Sequence, residues 1–96
     1  MLKINLNDET DELTVIKNDG GKWIPETSHE GWSHTIVGYN ECAFIIATQR
    51  LQTGETSVVV LLSRVDDHIK SETRVCNWAD VSDTINYTIE SLWKMK

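Results

Sequence analysis

The sequence contains little cysteine, proline or positive charge, and it has no long hydrophobic run. Its two cysteines, Cys42 and Cys76, are too few for the disulfide scaffold of a small secreted domain. The longest apolar runs, CAFIIA and VVVLL, are far too short to span a bilayer. The opening residues, MLKINLNDETDEL, carry no apolar stretch of the kind that forms a secretory signal. We therefore expect a cytoplasmic protein with reduced thiols.

Basic residues are outnumbered, since nine lysines and arginines stand against fifteen acids, for a formal net charge of −6. A surface of this sign repels phosphate and gains nothing from counterion release on DNA or RNA. Direct nucleic-acid binding is therefore disfavoured. A net charge of this size keeps a small protein soluble, and it also steers the protein toward a basic partner.

The length of 96 residues predicts a single domain that spans residues 1–96. The apolar fraction of 40% and the charged fraction of 25% are ordinary values for a globular protein. A chain of this size buries only about 60% of its unfolded surface, so it can build one modest core. Little room is left for an internal active-site cavity.

Alternating polar and apolar residues predict strands in the first quarter of the chain. Residues 2–6 have the period of a half-buried strand, and residues 13–17 predict a second one. Residues 18–21, with the sequence NDGG, tolerate the positive φ of a hairpin turn and predict a return strand at residues 22–24. Pro25 has no backbone donor and ends that strand or places it at a sheet edge.

The middle of the chain predicts further strands, at residues 32–39, 42–51, 56–65 and 73–76. Residues 43–47 and 58–62 are apolar at every position, which is typical of strands buried on both faces.

The C-terminal segment changes to a helical period. Its apolar residues fall at spacings of three and four, which predicts an amphipathic helix with Asn77 as its N-cap; they are Trp78, Val81, Ile85, Ile89 and Leu92. We predict an α+β fold: a meander-like antiparallel sheet of five to seven strands with this one helix packed on one face. Because one helix covers one face only, either the sheet curls strongly or a second molecule covers its outer face, for example in a homodimer.

The stretch HEGWSH, residues 29–34, is the first candidate for a metal site. In the zincin motif two histidines four residues apart share one face of a helix. His29 and His34 are five apart, which separates them by about 140° on a helix and puts them on opposite faces of a strand. We therefore predict no metal site here, and interpret the stretch as a loop that enters a strand.

Catalytic motifs are also absent from the sequence, which has no nucleophile elbow, P-loop or dinucleotide fingerprint. Cys42 opens an apolar strand, the setting of an inert thiol, and no base is placed beside Cys76 by the sequence. We therefore predict that the protein is not an enzyme and that it has no catalytic residue and no cofactor.

Four tryptophans are a high share for a chain this short. Trp78 is expected in the core and Trp93 half-buried, whereas Trp23 and Trp32 flank the Pro25 loop. Core packing is favoured for these two, but tryptophan is also enriched at interface hot spots. Acidic residues cluster at 8–12 and 66–72. Together with acidic residues of these clusters, the two tryptophans make up the predicted partner-binding residues, which are Asp8, Glu9, Asp11, Glu12, Trp23, Trp32, Asp66 and Asp67.

The size, the acidity, the tryptophans and the missing catalytic motifs favour a small interaction protein that binds and blocks a macromolecular partner with a basic surface. Phage-encoded inhibitors of host defence, such as anti-CRISPR or anti-restriction proteins, have these traits, and so do toxin-neutralising immunity proteins and antitoxins. The partner is expected to be a protein, such as a nucleic-acid-binding enzyme or a toxin. The alternative is a small-ligand-binding domain with a pocket between the curled sheet and the helix.

Overall fold

The computed structural model describes residues 2–7, 13–17, 23–24, 33–40, 42–64 and 69–94. Within these residues the chain forms seven strands, a short 3-10 turn at Trp78–Asp80 and one helix, α1, at Val81–Lys94. The strands are β1 (Lys3–Leu6), β2 (Leu13–Lys17), β3 (Trp23–Ile24), β4 (Ser33–Tyr39), β5 (Cys42–Arg50), β6 (Glu55–Ser63) and β7 (Lys70–Asn77).

The predicted antiparallel meander is confirmed for β3 to β7, which form one sheet in sequence order. The turns between its strands suit their residues. Asn40, after β4, adopts a positive φ of 47°, and Gly54, before β6, has a φ of 90°. Asparagine and glycine are the residues that tolerate such angles most readily. At the second turn the amide of Leu51 donates to the carbonyl of Glu55 at 2.8 Å.

The predicted fold class is confirmed, with five strands in the main sheet, but the hairpin predicted between residues 13–17 and 22–24 is wrong. β1 and β2 form a separate two-stranded sheet, and β3 pairs with β4, placing Trp23 opposite Val37 and Ile24 opposite Ile36. Turn residues such as those at 18–21 permit a reversal of the chain but do not select which strand edge receives the next strand. That choice depends on contacts between elements that are distant in sequence.

The core lies between two layers. One layer is the five-stranded sheet, and the other consists of α1 and the β1–β2 hairpin side by side, since α1 contacts β6, β7 and β1, and β2 contacts β4. Alternate residues of the sheet point into this core and are buried: Val37, Tyr39, Phe44, Ile46, Val58, Val60 and Leu62. Leu2, Ile4, Leu6 and Leu13 close the core from the hairpin side.

The predicted helical stripe is confirmed from Val81 onward, because Val81, Ile85, Ile89 and Leu92 are fully buried. Trp78 precedes the helix in the 3-10 turn. It was predicted to lie in the core, but its side chain packs against the core and is only half-buried. Asn77 occupies the N-cap position of that turn without a side-chain capping hydrogen bond. In the described part of the chain no helix is long and apolar enough to cross a membrane.

The outward residues of β5 and β6 are half-buried, so within one chain only one face of these strands is fully buried. Phe44, Ile46, Val58 and Val60 face the core, and the alternate residues between them face outward. The helix and hairpin together form one covering layer, which lies on one face of the sheet.

Polar side chains of α1 join the helix to β1 at the strand edge that β2 leaves open. The amide of Ile4 donates to Asn86 Oδ1 at 2.8 Å, and Asn86 Nδ2 donates back to the carbonyl of Ile4 at 2.9 Å. One helical turn earlier, the amide of Leu6 donates to Ser82 Oγ at 3.0 Å. These bonds replace those that a third strand would make, so they satisfy backbone groups that folding removes from water.

Replacing Asn86 by leucine tests this joint. Leucine has a similar size and a higher helix propensity, but it leaves both polar backbone groups of Ile4 without their partner. We expect the free energy of unfolding to fall by about 2–4 kcal/mol in urea denaturation. Glu90→Leu, at an exposed position of the same helix, should change it by less than about 0.5 kcal/mol. Equal stabilities of the two variants would show that the bonds to Ile4 contribute nothing.

Candidate functional site

The last strand, β7, forms one edge of the five-stranded sheet. It pairs with β6 over its whole length, from Leu62 opposite Lys70 to Glu55 opposite Asn77, and no described strand lies along its other side. An eight-residue edge is long enough to accept a further strand, because its outward backbone groups are positioned to form a second ladder. The edge of β1 is different, since side chains of α1 cover it.

The side chains of β7 alternate between the two faces of the sheet. Arg74 lies opposite Val58 and Cys76 opposite Thr56, and both partners are fully buried on the core face. Residues directly opposite each other in a sheet share a face, so Arg74 and Cys76 point toward the layer that contains α1. Val75, between them, faces outward and is 53% exposed.

A groove with a volume of about 380 Å³ runs between β7 and α1. Strand and helix residues form its two walls, and they are Arg74, Val75, Cys76, Asp83, Thr84 and Tyr87. The groove therefore lies beside the exposed edge of the sheet. The space under the helix is occupied by side chains such as Phe44 and Ile85, which have no exposure to solvent.

Arg74 and Tyr87 connect the two walls. The guanidinium carbon of Arg74 lies 4.8 Å from the centre of the Tyr87 ring, a cation–π distance. The same guanidinium donates from Nη2 to Glu72 Oε2 at 3.1 Å, so the positive charge on this wall is offset by a neighbouring carboxylate. Tyr87 is nevertheless 63% exposed, which leaves most of its ring available for contact.

The exposed stripe of α1 beside the groove is mainly acidic. Asp83, Tyr87, Glu90 and Lys94 are exposed and fall at spacings of four, three and four, which places them on one side of the helix. Asp80 is exposed one turn before Asp83. No described cation forms an ion pair with Asp83, so the groove has a carboxylate available for a positively charged ligand group.

Two other arginines lie over aromatic rings and join the ends of the helical segment to the sheet. The Arg50 guanidinium carbon is 3.6 Å from the centre of the Trp78 ring. Arg64 lies 4.9 Å from the Trp93 ring and donates from Nη2 to the Trp93 carbonyl at 3.0 Å. Both tryptophans are half-buried against the core, as predicted for Trp93, so we interpret these contacts as structural.

None of the residues predicted from sequence to bind a partner is among the residues that line the groove. Trp23 is in β3, at the sheet edge opposite β7, and only its backbone is described. The other predicted residues lie outside the described residues: Asp8, Glu9, Asp11, Glu12, Trp32, Asp66 and Asp67. The strand predicted after the HEGWSH loop is confirmed from Ser33 to Tyr39.

Sequence reasoning missed the groove residues Asp83, Thr84 and Tyr87. The polar side of the helix could have been derived from the spacing of its apolar residues, because it is the complement of the buried stripe. The position of β7 beside the polar side of the helix could not have been derived from the sequence. Among the described residues no group of three or more histidine, cysteine or acidic side chains could hold a metal ion, and Cys42 and Cys76 are unpaired thiols.

Replacing Tyr87 by alanine should leave the fold almost unchanged. The ring is mostly exposed, and an exposed cation–π contact contributes about 0.5–1 kcal/mol. We expect the free energy of unfolding to fall by less than about 1 kcal/mol, whereas Ile89→Ala, in the same helix but fully buried, should cost about 2–5 kcal/mol. Thermal and urea denaturation would measure the loss of stability in both variants. A large loss for Tyr87→Ala would mean that the ring is part of the core.

No known protein family, curated protein or solved structure matches this chain. The function must therefore be inferred from the groove, the strand edge and the charges around them.

Proposed function

We propose that this protein is a non-enzymatic interaction protein that binds and blocks a partner protein by capturing one of its extended, basic segments. The observation that carries the proposal is the juxtaposition of the β7 edge with a groove whose helical wall presents Asp83 and Tyr87. The captured segment adds as a strand to β7, and alternate side chains of the segment enter the groove.

Strand addition supplies the affinity without demanding a particular sequence. The backbone of the incoming segment pairs with the outward backbone groups of β7, as an edge strand pairs with its neighbour in any sheet. Every second side chain then faces α1, where Tyr87 offers a large aromatic surface and Cys76 a small apolar one. Tyrosine is among the residues most enriched at the energetic centre of interfaces.

The charges around the groove favour a basic segment. Asp83 lies in the groove wall, Asp80 and Glu90 flank it along the helical segment, and Arg74 is offset by Glu72. The whole chain carries a net charge of −6, to which the acidic clusters at residues 8–12 and 66–72 contribute. This field accelerates the approach of a positively charged partner and disfavours nucleic acid itself.

Blocking follows when the captured segment is one that the partner needs. Basic extended segments commonly contact phosphates in proteins that act on nucleic acid, so an acidic protein paired with such a segment competes with nucleic acid for it. We assign the protein on this ground to the inhibitors of defence nucleases and toxins, either phage-encoded or as an immunity protein or antitoxin. We place its action in the cytoplasm, where Cys42 and Cys76 stay reduced.

Selection from a random peptide library displayed on phage tests the binding mode. We expect the selected peptides to alternate basic with apolar or small residues, and their affinity to fall as salt is raised. Tyr87→Ala and Asp83→Lys should each weaken a selected peptide by about tenfold or more in fluorescence anisotropy. Glu55→Lys makes the same charge reversal at an exposed carboxylate on the outward face of the sheet, and should leave the affinity unchanged.

Amide hydrogen exchange locates the bound peptide. A peptide that adds as a strand should slow the exchange of amides in β7, because their outward N–H groups gain acceptors. Selected peptides that bind without slowing exchange in β7, or that bind Asp83→Lys as well as the native chain, would contradict the proposal.

A further inference from the structure

The described side chains on the outer face of the sheet, which points away from α1, are almost free of charge. The central row of this face runs in register across three strands, with Ile36 opposite Ile45 and Ile45 opposite Leu61. The next row places Ala47 opposite Val59 and Val59 opposite Thr73. Among the described side chains that β4 to β7 direct to this face, the charged one is Glu55, at a corner of the sheet.

This distribution is unusual for a chain in which 25% of the residues are charged. An outer sheet face that only meets solvent normally alternates polar residues with the buried ones. Here β5 and β6 carry isoleucine, valine and leucine on both faces, and the outward ones are half-buried. The face therefore has an apolar centre with neutral polar residues around it, and an apolar patch with a polar rim is typical of an interface between proteins.

We propose that the outer sheet face is a self-association surface, on which a second copy of this chain packs face to face about a two-fold axis. The scarcity of charge among the described side chains of this face favours this occupant. A basic partner gains few ion pairs on this face, whereas two copies with a net charge of −6 repel each other least where each presents little charge. In a two-fold interface the same patch of both copies meets, so the patch must be complementary to itself. An apolar patch meets this requirement without paired charges.

The shape and size of the face fit such a dimer. Beside the row of Ile36, Ile45 and Leu61 lies a row of small residues, Gly38, Ala43 and Ser63, so large rows of one copy can pack over small rows of the other. Four strands about 4.8 Å apart, each about 25 Å long, present roughly 500 Å² in projection. Two such faces together cover roughly 1,000 Å², the low end for a specific interface, which fits a dimer that dissociates on dilution.

The dimer would carry two free grooves. Because α1 and most of the groove lie on the opposite side of the sheet, with Val75 at the rim, self-association leaves both β7 edges accessible. A partner with two basic segments, or an oligomeric partner, would then be held by both sites and bound more tightly than by one. The dimer itself does not depend on the proposed peptide binding, so either inference can fail alone.

Light scattering and sedimentation equilibrium of the native chain over low to high micromolar concentrations test the inference. We expect a mass twice that of the chain, with dissociation on dilution. Leu61→Lys, at the centre of the face, should raise the dissociation constant at least about 30-fold, because a charge replaces a central apolar contact. The substitution also lowers the net negative charge, so weaker association cannot be attributed to increased overall repulsion.

Ile16→Lys is the matched control. It makes the same replacement of an apolar residue by lysine at a 63% exposed position of β2, away from the sheet face, and the dimer should persist. Circular dichroism should show that both variants are folded. A native chain that is monomeric at all concentrations would overturn the inference, and so would a dimer that Leu61→Lys, still folded, leaves intact. Peptide binding in anisotropy should survive Leu61→Lys.

Discussion

The paired hydrogen bonds between Asn86 and Ile4 determine how the covering layer is built. A four-residue strand such as β1 has too few backbone partners to be stable with β2 alone, since isolated hairpins are marginal in water. The carboxamide of Asn86 supplies both a donor and an acceptor, which a strand would otherwise provide. Helix and hairpin thereby form one layer, and this layer covers the apolar residues of the larger sheet.

The same helix accounts for the difference between the two strand edges. Its Ser82 and Asn86 side is used to satisfy β1, and its apolar stripe is used to cover the sheet. What remains is the side that carries Asp83 and Tyr87, and this side faces the groove along β7. The edge of β1 is therefore completed within the molecule. The edge of β7 lies instead beside a groove that presents Asp83 and Tyr87, and the proposed function depends on this combination.

Most of the secondary structure could be predicted because local patterns decide it. The alternation at residues 2–6 and 13–17, the continuous apolar runs of β5 and β6, and the helical spacing after Val81 are each visible in a short window. The pairing of β3 with β4 and the separation of β1 and β2 from the main sheet could not be derived in this way. Asn86 illustrates the reason: in the sequence it is a weak helix former, and its role appears only when Ile4 lies beside it.

The sequence by itself determined the class of the fold, the buried stripe of the helix and the acidity of the protein, because periodicity and composition follow directly from residue type. Tertiary structure alone decided that β7 is an edge, that Tyr87 and Asp83 stand over it, and that the uncharged residues of four strands share one face. These properties arise when residues far apart in the chain become neighbours. Strand order and helix placement set those distances, and neither is encoded in any local stretch.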